Sequence, residues 1–256
     1  MTIGFRILRR VRKVDAGAVA KFKALPLANV SDVMSRMSAG GPRLRPMHGK
    51  GALAGPALTV KTRPGDNLMV HKALDLAEPG DVIVVDAGGD LTSAIIGELM
   101  VAHARKRGVA GCVIDGAIRD SAAIGAGDFP VFAAGVTHRG PYKDGPGEIN
   151  VAIAVGGMVI EPGDLVLGDG DGVLCVPFAE VEAVFRAAKA KQESEVQQAA
   201  AIKAGTSDRA WVDETLKRLG CEFAAAARLG AEIARPHPYA RAAPAVWPAY
   251  KLAHAV

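Results

Sequence analysis

Two short stretches of this chain carry residue types that do chemistry together. Gly97-Glu98-Leu99-Met100 is a glycine turn that opens a helix, and Arg119-Asp120 follows at the far end of the next strand. A helix start offers backbone N–H groups with no partner of their own, aimed at an anion. An arginine offers a fixed fork of donors that matches a carboxylate. An aspartate beside it can hold a hard divalent metal. Such a set can bind a 2-oxo acid such as pyruvate and stabilise its enolate. Each residue also has a plainer reading. Gly97 can be a packing glycine inside a helix. Arg119 can form a structural salt bridge with Asp115, Asp120 or Asp128. Asp120 can cap a helix starting at Ser121.

The elements that must position these residues are legible as an alternation of apolar runs and glycine turns. Asn29-Val30-Ser31-Asp32 reads as a helix start ahead of Val33, Met34 and Met37, ended by Gly40-Gly41-Pro42. Residues 55–60 read as a strand, 68–76 as a short helix and 82–85 as a strand reaching Asp86. Residues 94–106 read as a strong helix interrupted by Gly108, 111–114 as a buried strand, 121–126 as a short helix and 130–133 as a strand. Gly156-Gly157 between two apolar runs reads as a hairpin turn. Residues 173–177 close the strand-rich part, and 178–204 and 211–219 turn helical.

One unit recurs. Glu78-Pro79-Gly80-Asp81 precedes a strand ending at Asp86, and Glu161-Pro162-Gly163-Asp164 precedes one ending at Asp169, so the offset from aspartate to aspartate is the same in both. Pro-Gly at the centre suits a type II turn. Two copies indicate related layers of one fold rather than a solenoid.

Composition narrows the class. The chain has 256 residues, half of them hydrophobic, which is enough to bury a sizeable core. The longest apolar runs, such as Val82-Ile83-Val84-Val85, are strand-sized, and none approaches a membrane span. Cys112, Cys175 and Cys221 are odd in number and form no metal-binding spacing; Cys112 and Cys175 lie in apolar strand-like runs, which fits buried thiols and a reducing cytoplasm. The net charge of +4 is mild, and no basic segment is interleaved with aromatics, so neither nucleic acid nor a membrane is an expected partner. Arg6, Arg9, Arg10, Arg12 and Lys13 cluster near the start and read as a solvated helix face or a loose terminus rather than a targeting segment. G-x-S-x-G, P-loop and G-x-G-x-x-G patterns are missing, which ranks hydrolase, nucleotide and dinucleotide chemistry low. The tail from Arg235 is too proline-rich for helix.

The glycine turn and the Arg-Asp pair, one helix and one strand apart, resemble the RraA-like class II pyruvate aldolases. That family includes 4-hydroxy-4-methyl-2-oxoglutarate and 4-carboxy-4-hydroxy-2-oxoadipate aldolases, and also RraA, a protein inhibitor of ribonuclease E. The resemblance covers residues 29–205. It implies an α/β fold, an αββαβα layered sandwich with C-terminal helices and a proline-rich tail. A single domain over 1–220, with C-terminal helices over 178–220, would then be followed by an extension over 221–256. It also implies a homotrimer or hexamer with the site at the subunit interface.

Carried over residue by residue, the resemblance gives the backbone of Gly97, Glu98, Leu99 and Met100, together with Arg119, the substrate carboxylate. Asp120 takes the metal, Mg²⁺ or Mn²⁺, mostly through water. Glu98 stands where many members have Asp and joins the metal's water shell. Glu195, with Glu193 close by, stands where members carry a glutamate that reaches a neighbouring subunit's metal waters. A solvated acid on a charged helix is the other reading of Glu195. The loop through Lys143-Asp144-Gly145-Pro146-Gly147-Glu148 resembles one near the subunit interface, with Arg139 and Lys143 as candidates for distal carboxylates. His71 is read as structural. One position departs: relatives place an acid three residues after the Asp, where this chain has Ala123. The implied activity is a metal-dependent lyase that splits a 4-hydroxy-2-oxo acid into pyruvate and a second 2-oxo acid. Oxaloacetate decarboxylation follows from the same enolate. The alternatives are a non-catalytic regulator that binds a ribonuclease, and a related metal enzyme acting on another hydroxy acid.

Overall fold

A computed structural model describes residues 3–38 and 40–223. In chain order the elements are β1 (Phe5–Ile7), α1 (Ala16–Phe22), α2 (Leu27–Val33), β2 (Arg45–Pro46), β3 (Leu53–Thr62), α3 (Leu68–Leu76), β4 (Val82–Asp86), β5 (Ala94–Ile96), α4 (Glu98–Lys106) and β6 (Gly111–Ile118). They continue with α5 (Ser121–Ala126), β7 (Val131–Val136), β8 (Gly147–Ile149), β9 (Ile153–Val155), β10 (Met158–Ile160), β11 (Leu165–Asp169), β12 (Gly172–Val176), α6 (Val181–Ala204) and α7 (Ala210–Arg218). The proline-rich tail lies outside the described residues.

The chain divides into two compact units, Met1–Ala200 and Ala201–Val256. In the first, a mixed sheet runs β1-β8-β3-β4-β6-β7-β2, with β5 joined to β6 and the β11–β12 pair joined to β3. Strand alternation builds its layers. Ile83, Val85 and Ile114 pack with Met69, Val70, Ala73 and Ile124 of the helices on one face. Val82, Val84 and Val113 pack on the other face with Ile153, Val155, Met158 and Ile160 of the β9–β10 hairpin. Farther on, Leu165, Leu167, Leu174 and Val176 of β11 and β12 carry Phe22, Val30 and Ala188 of α1, α2 and α6. The result is the layered α/β sandwich that the resemblance implied. In the second unit, Asp208 Oδ1 accepts the Ala210 amide at 2.8 Å at the start of α7.

The repeated turns are built alike. Gly80 and Gly163 take φ of 88° and 89°, where a side chain is disfavoured. Asp81 Oδ2 accepts the Glu78 amide at 2.9 Å, and Asp164 Oδ2 accepts the Glu161 amide at 2.9 Å. The strands they launch flank one long strand: β4 lies parallel to residues 57–61 of β3, and β11 antiparallel to residues 53–56.

Several local expectations need correction. The basic N-terminal cluster is not loose: Arg9 is exposed, but its four other members are paired. Arg10 makes two bonds of 2.9 Å to the fully buried Asp81 carboxylate, and Arg12 pairs with Glu161 and, at 3.6 Å, with Asp164. Lys13 pairs with Glu78, and Arg6 with Glu148 at 2.6 Å. Cations two residues apart thus tie the two repeated turns.

The helix expected to start at Asn29 begins at Leu27, where Pro26 presets the backbone and Asp169 Oδ2 accepts the Leu27 amide at 3.2 Å. It stops at Val33, because Ser35 and Arg36 are left-handed (φ 55° and 62°). Residues 94–96 are a strand, not helix: Ile95 and Ile96 are β-branched, and the segment pairs in parallel with β6. The strand read over 111–114 runs on through Ile118 as β6, with a pairing irregularity between Ile114 and Ala117.

Candidate functional site

β5, α4 and β6 form a strand–helix–strand crossover with the two strands parallel. Residues just past the ends of parallel strands gather along one edge, where α/β sheets bind ligands. That geometry brings Gly97 and Arg119 together across the intervening chain. The Arg119 amide donates to Ile96 O at 3.0 Å. A cleft of about 280 Å³ opens there, and its lining includes Asn67, His71, Gly97, Leu99, Met100, Arg119, Asp120 and Lys143.

Gly97 is required by space and not by its backbone angle, since φ −143° suits any residue. A Cβ at this position would lie under 3.0 Å from Asp120 Oδ2 and 3.1–3.2 Å from Arg119 Cγ and Nε. The Asp120 carboxylate fills that gap and accepts the Glu98 amide at 3.0 Å. Asp120 therefore caps α4. It does not cap α5 with its side chain, although its backbone stands at that helix's start. Its backbone is left-handed, φ 55° and ψ 36°, a conformation that Asp tolerates and that collects at functional sites.

The first turn of α4 offers fewer free amides than the sequence suggested. Asp120 takes the Glu98 amide, and Gly97 O takes that of Met100 at 3.1 Å. The Leu99 amide has no acceptor among the described residues. Arg119 has Asp120 as its charged neighbour, Nε to Oδ2 3.7 Å, and both side chains are about two-fifths exposed. Its other candidate partners are engaged elsewhere. Asp128 pairs with Arg105 at 2.5 Å. Asp115 is buried, which raises its pKa above the ordinary carboxylate value against the opposing charge of Arg43.

Asp120 and Arg119 thus sit where the sequence placed them. Glu98 is exposed and does not line the cleft with Leu99 and Met100. Glu195 lies outside the cleft of its own chain. It accepts Asn29 Nδ2 at 2.9 Å and pairs with Lys191 at 2.9 Å, and these contacts hold its carboxyl below the usual range. Ala123 is exposed and away from the cleft. Asn67 and His71 also line the cleft; the sequence reading gave Asn67 no role and read His71 as structural. Asn67 Nδ2 donates to Ile95 O at 2.8 Å, while its Oδ1 is buried with no partner. Desolvation, then the Lys143 charge, holds His71 below its ordinary pKa. The signal for both was their place at the start of α3, a segment the sequence reading left without chemistry.

The donor set fits a hard divalent ion. Three-residue clusters of His, Cys, Asp and Glu suited to a metal are missing among the described residues. Mg²⁺ does not need one: it dehydrates reluctantly and takes one carboxylate plus waters. Asp120 Oδ2 caps α4, and its second oxygen has no partner among the described residues. No helix among them is long and apolar enough to cross a membrane.

Comparison with known proteins gives the family. A family model described as RraA-like, Aldolase/RraA, matches residues 27–175. A Halalkalibacterium halodurans protein named "Putative 4-hydroxy-4-methyl-2-oxoglutarate aldolase" is 42% identical over 184 residues, which are 72% of this chain and 88% of that one. A solved structure of an uncharacterized protein from Pseudomonas syringae pv. tomato superposes with a TM-score of 0.68 at 25% identity, covering 76% of this chain and 96% of its own. The RNA-processing inhibitor RraA from Thermus thermophilis superposes with a TM-score of 0.55 at 31% identity, covering 59% and 92%. With the matched segment spanning β2 to β12 and the whole cleft, this chain belongs to the RraA-like aldolase family.

Proposed function

We propose that the cleft is the active site of an aldolase-type lyase, one that cleaves a 4-hydroxy-2-oxo acid into pyruvate and a second 2-oxo acid. The observation that carries this reading is the junction of Arg119, Asp120 and the first turn of α4 along one edge, with Asp120 Oδ2 on the Glu98 amide at 3.0 Å. The aldolase name of the 42% identical relative points the same way.

In this reading Arg119 holds the carboxylate beside the 2-oxo group and stabilises the charge that develops on the enolate oxygen. The Leu99 amide adds one donor. Asp120 would hold Mg²⁺ or Mn²⁺, and the ion would supply Lewis acidity at the 2-oxo oxygen. The 4-hydroxyl proton leaves as the C3–C4 bond breaks. The O–H bonding pair becomes the carbonyl of the second product, and the C3–C4 bonding pair stays with C3 as pyruvate enolate. A water ordered by Glu98 or Glu195 takes the 4-hydroxyl proton and returns one to C3. Glu195 serves a neighbouring copy in a trimer or hexamer with the site at the interface. Oxaloacetate loses CO₂ through the same enolate. A small 2-oxo acid, neither nucleic acid nor a membrane, is the partner, in a cytoplasmic setting.

The test is pyruvate release from 4-hydroxy-4-methyl-2-oxoglutarate and from oxaloacetate, with Mg²⁺ and with EDTA, for wild type and Asp120→Ala. Turnover that needs both metal and Asp120 is expected. Its absence on both compounds from folded protein overturns the reading. The second reading, a non-catalytic ribonuclease regulator, draws on the likeness to the Thermus thermophilis inhibitor. It predicts copurification with a ribonuclease and no turnover.

A further inference from the structure

The reaction proposed for this cleft takes a proton from the 4-hydroxyl and later places one on C3. A neutral water is too weak a base to hold that proton between the two events, so a side chain has to store it. Among the described residues, the titratable side chains that line the cleft are His71, Arg119, Asp120 and Lys143. Arg119 and Lys143 carry their protons as cations. The Asp120 carboxylate is committed to the Glu98 amide and to its place beside Arg119. Glu98 does not line the cleft, and Glu195 is held elsewhere by Asn29 and Lys191. His71 is left, and imidazole is the side chain whose charge changes nearest neutral pH.

The fold places and tunes this histidine. It stands one turn into α3, on the same helix face as Asn67, and its amide donates to Asn67 O at 3.0 Å. The bond from Asn67 Nδ2 to Ile95 O fixes that face against β5, the strand that leads into Gly97. The fully buried Asp66 carboxylate ties the loop between β7 and β8 to the start of α3. Its Oδ1 accepts the Leu68 amide at 2.9 Å, and its Oδ2 accepts the amides of Asp144 at 2.8 Å and Gly145 at 2.9 Å. The charges that act on His71 are Lys143 from that loop, Asp75 from its own helix and His103 from α4. Desolvation and Lys143 prevail over Asp75, whose carboxylate also pairs with Lys72 at 3.7 Å, and hold His71 below the ordinary 6.5. The imidazole is therefore largely neutral at pH 7 and ready to accept a proton. His71 is also exposed, and with Lys72, Asp75 and His103 it lines a second cavity of about 400 Å³, through which it can re-equilibrate with solvent between turnovers.

We propose that His71 is the proton store of this cleft: through the ordered water it takes the 4-hydroxyl proton as the C3–C4 bond breaks, and it returns that proton to C3 of the enolate. The imidazole is neutral before and after, so the transfer balances without a second acid or base. This rests on the lyase reading of the cleft. The test is the pH profile of kcat/KM for 4-hydroxy-4-methyl-2-oxoglutarate in Mg²⁺, for wild type and His71→Gln, beside ring-proton NMR of His71 in the folded protein. Wild-type cleavage should rise with pH through a midpoint below 6.5 and then level off, and the His71 ring should titrate at the same midpoint. His71→Gln should lose that rising limb and about 100-fold at the plateau. Oxaloacetate has no hydroxyl proton to give up, so its decarboxylation should lack the limb and keep most of its rate in His71→Gln. The side chain is exposed, so the variant's thermal melt should match wild type. A limb that survives in His71→Gln overturns the assignment, and so do cleavage and decarboxylation that fall together, because His71 would then serve the shape of the cleft. Either result leaves the lyase reading standing. Wild type that releases pyruvate from neither compound removes both.

Discussion

Replacing Gly97 by alanine separates the geometry of this site from the stability of the fold. The new methyl would stand under 3.0 Å from Asp120 Oδ2, whereas ordinary contact begins at 3.4 Å. The carboxylate must withdraw by at least several tenths of an ångström, and Arg119, at 3.1–3.2 Å, is crowded as well. Misplacing a group that positions substrate by about 1 Å costs about 100-fold, so a loss of about 10- to 100-fold in kcat/KM is expected. Stability should change little. The Glu98–Asp120 bond contributes about 1 kcal/mol at this half-exposed place. Because φ is −143°, alanine adopts the native backbone and restricts the unfolded chain, which returns about 0.5 kcal/mol. The assay is pyruvate release under saturating Mg²⁺, beside a thermal melt. Wild-type kcat/KM in Gly97→Ala would refute the claim that the Asp120 position matters. A collapse of the melting temperature would show that Gly97 serves the fold and not the site.

Further outcomes follow from the same contacts. Arg10→Ala leaves the Asp81 carboxylate buried and unpaired and should cost about 3–5 kcal/mol in chemical denaturation. Burial alone would raise the Asp66 pKa, but the amides of Leu68, Asp144 and Gly145 outweigh it and hold the pKa below 3.8. Its contribution is therefore complete above the unfolded value and is lost as pH falls through the folded one, so Asp66→Asn should flatten the stability profile below about pH 4. Burial pushes the Cys112 thiol to about 12 and the Cys175 thiol upward, while Cys221 is exposed. A thiol reagent at pH 8 should titrate one of three cysteines in the native protein and all three in denaturant.

The glycine turn and the Arg-Asp pair were read as one site through the family resemblance, and the topology explains why they meet. A helix start and a strand end separated by one helix and one strand become neighbours whenever the two strands are parallel. The apolar runs at 82–85 and 111–114 announced the parallel pair β4 and β6, whereas the pairing that joins Gly97 to Arg119 runs through β5. What stayed hidden depends on contacts between distant residues. Ala94–Ile96 was merged with the helix that begins after Gly97, and its pairing with β6 has no local signature. Asp66 looked like an ordinary loop acid, because nothing local reveals that amides seventy-eight and seventy-nine residues away converge on it.

The basic N-terminus carries the same lesson further. By composition, Arg10, Arg12 and Lys13 are a charged start on a mildly basic chain. In the fold, Arg10 meets Asp81 and Arg12 meets Glu161 and Asp164, equivalent positions of two turns eighty-three residues apart. Those turns launch β4 and β11, which lie along successive stretches of β3. One arm therefore sets the two strands' starting points relative to each other. β4 in turn carries β6 in register, Val82 against Gly111 through Asp86 against Asp115. The end of β6 is where Arg119 and Asp120 emerge. The repeat and the basic cluster, which the sequence presents as unrelated, thus belong to the frame that holds the cleft, and the chemistry at its edge depends on a clamp formed far from it in the chain.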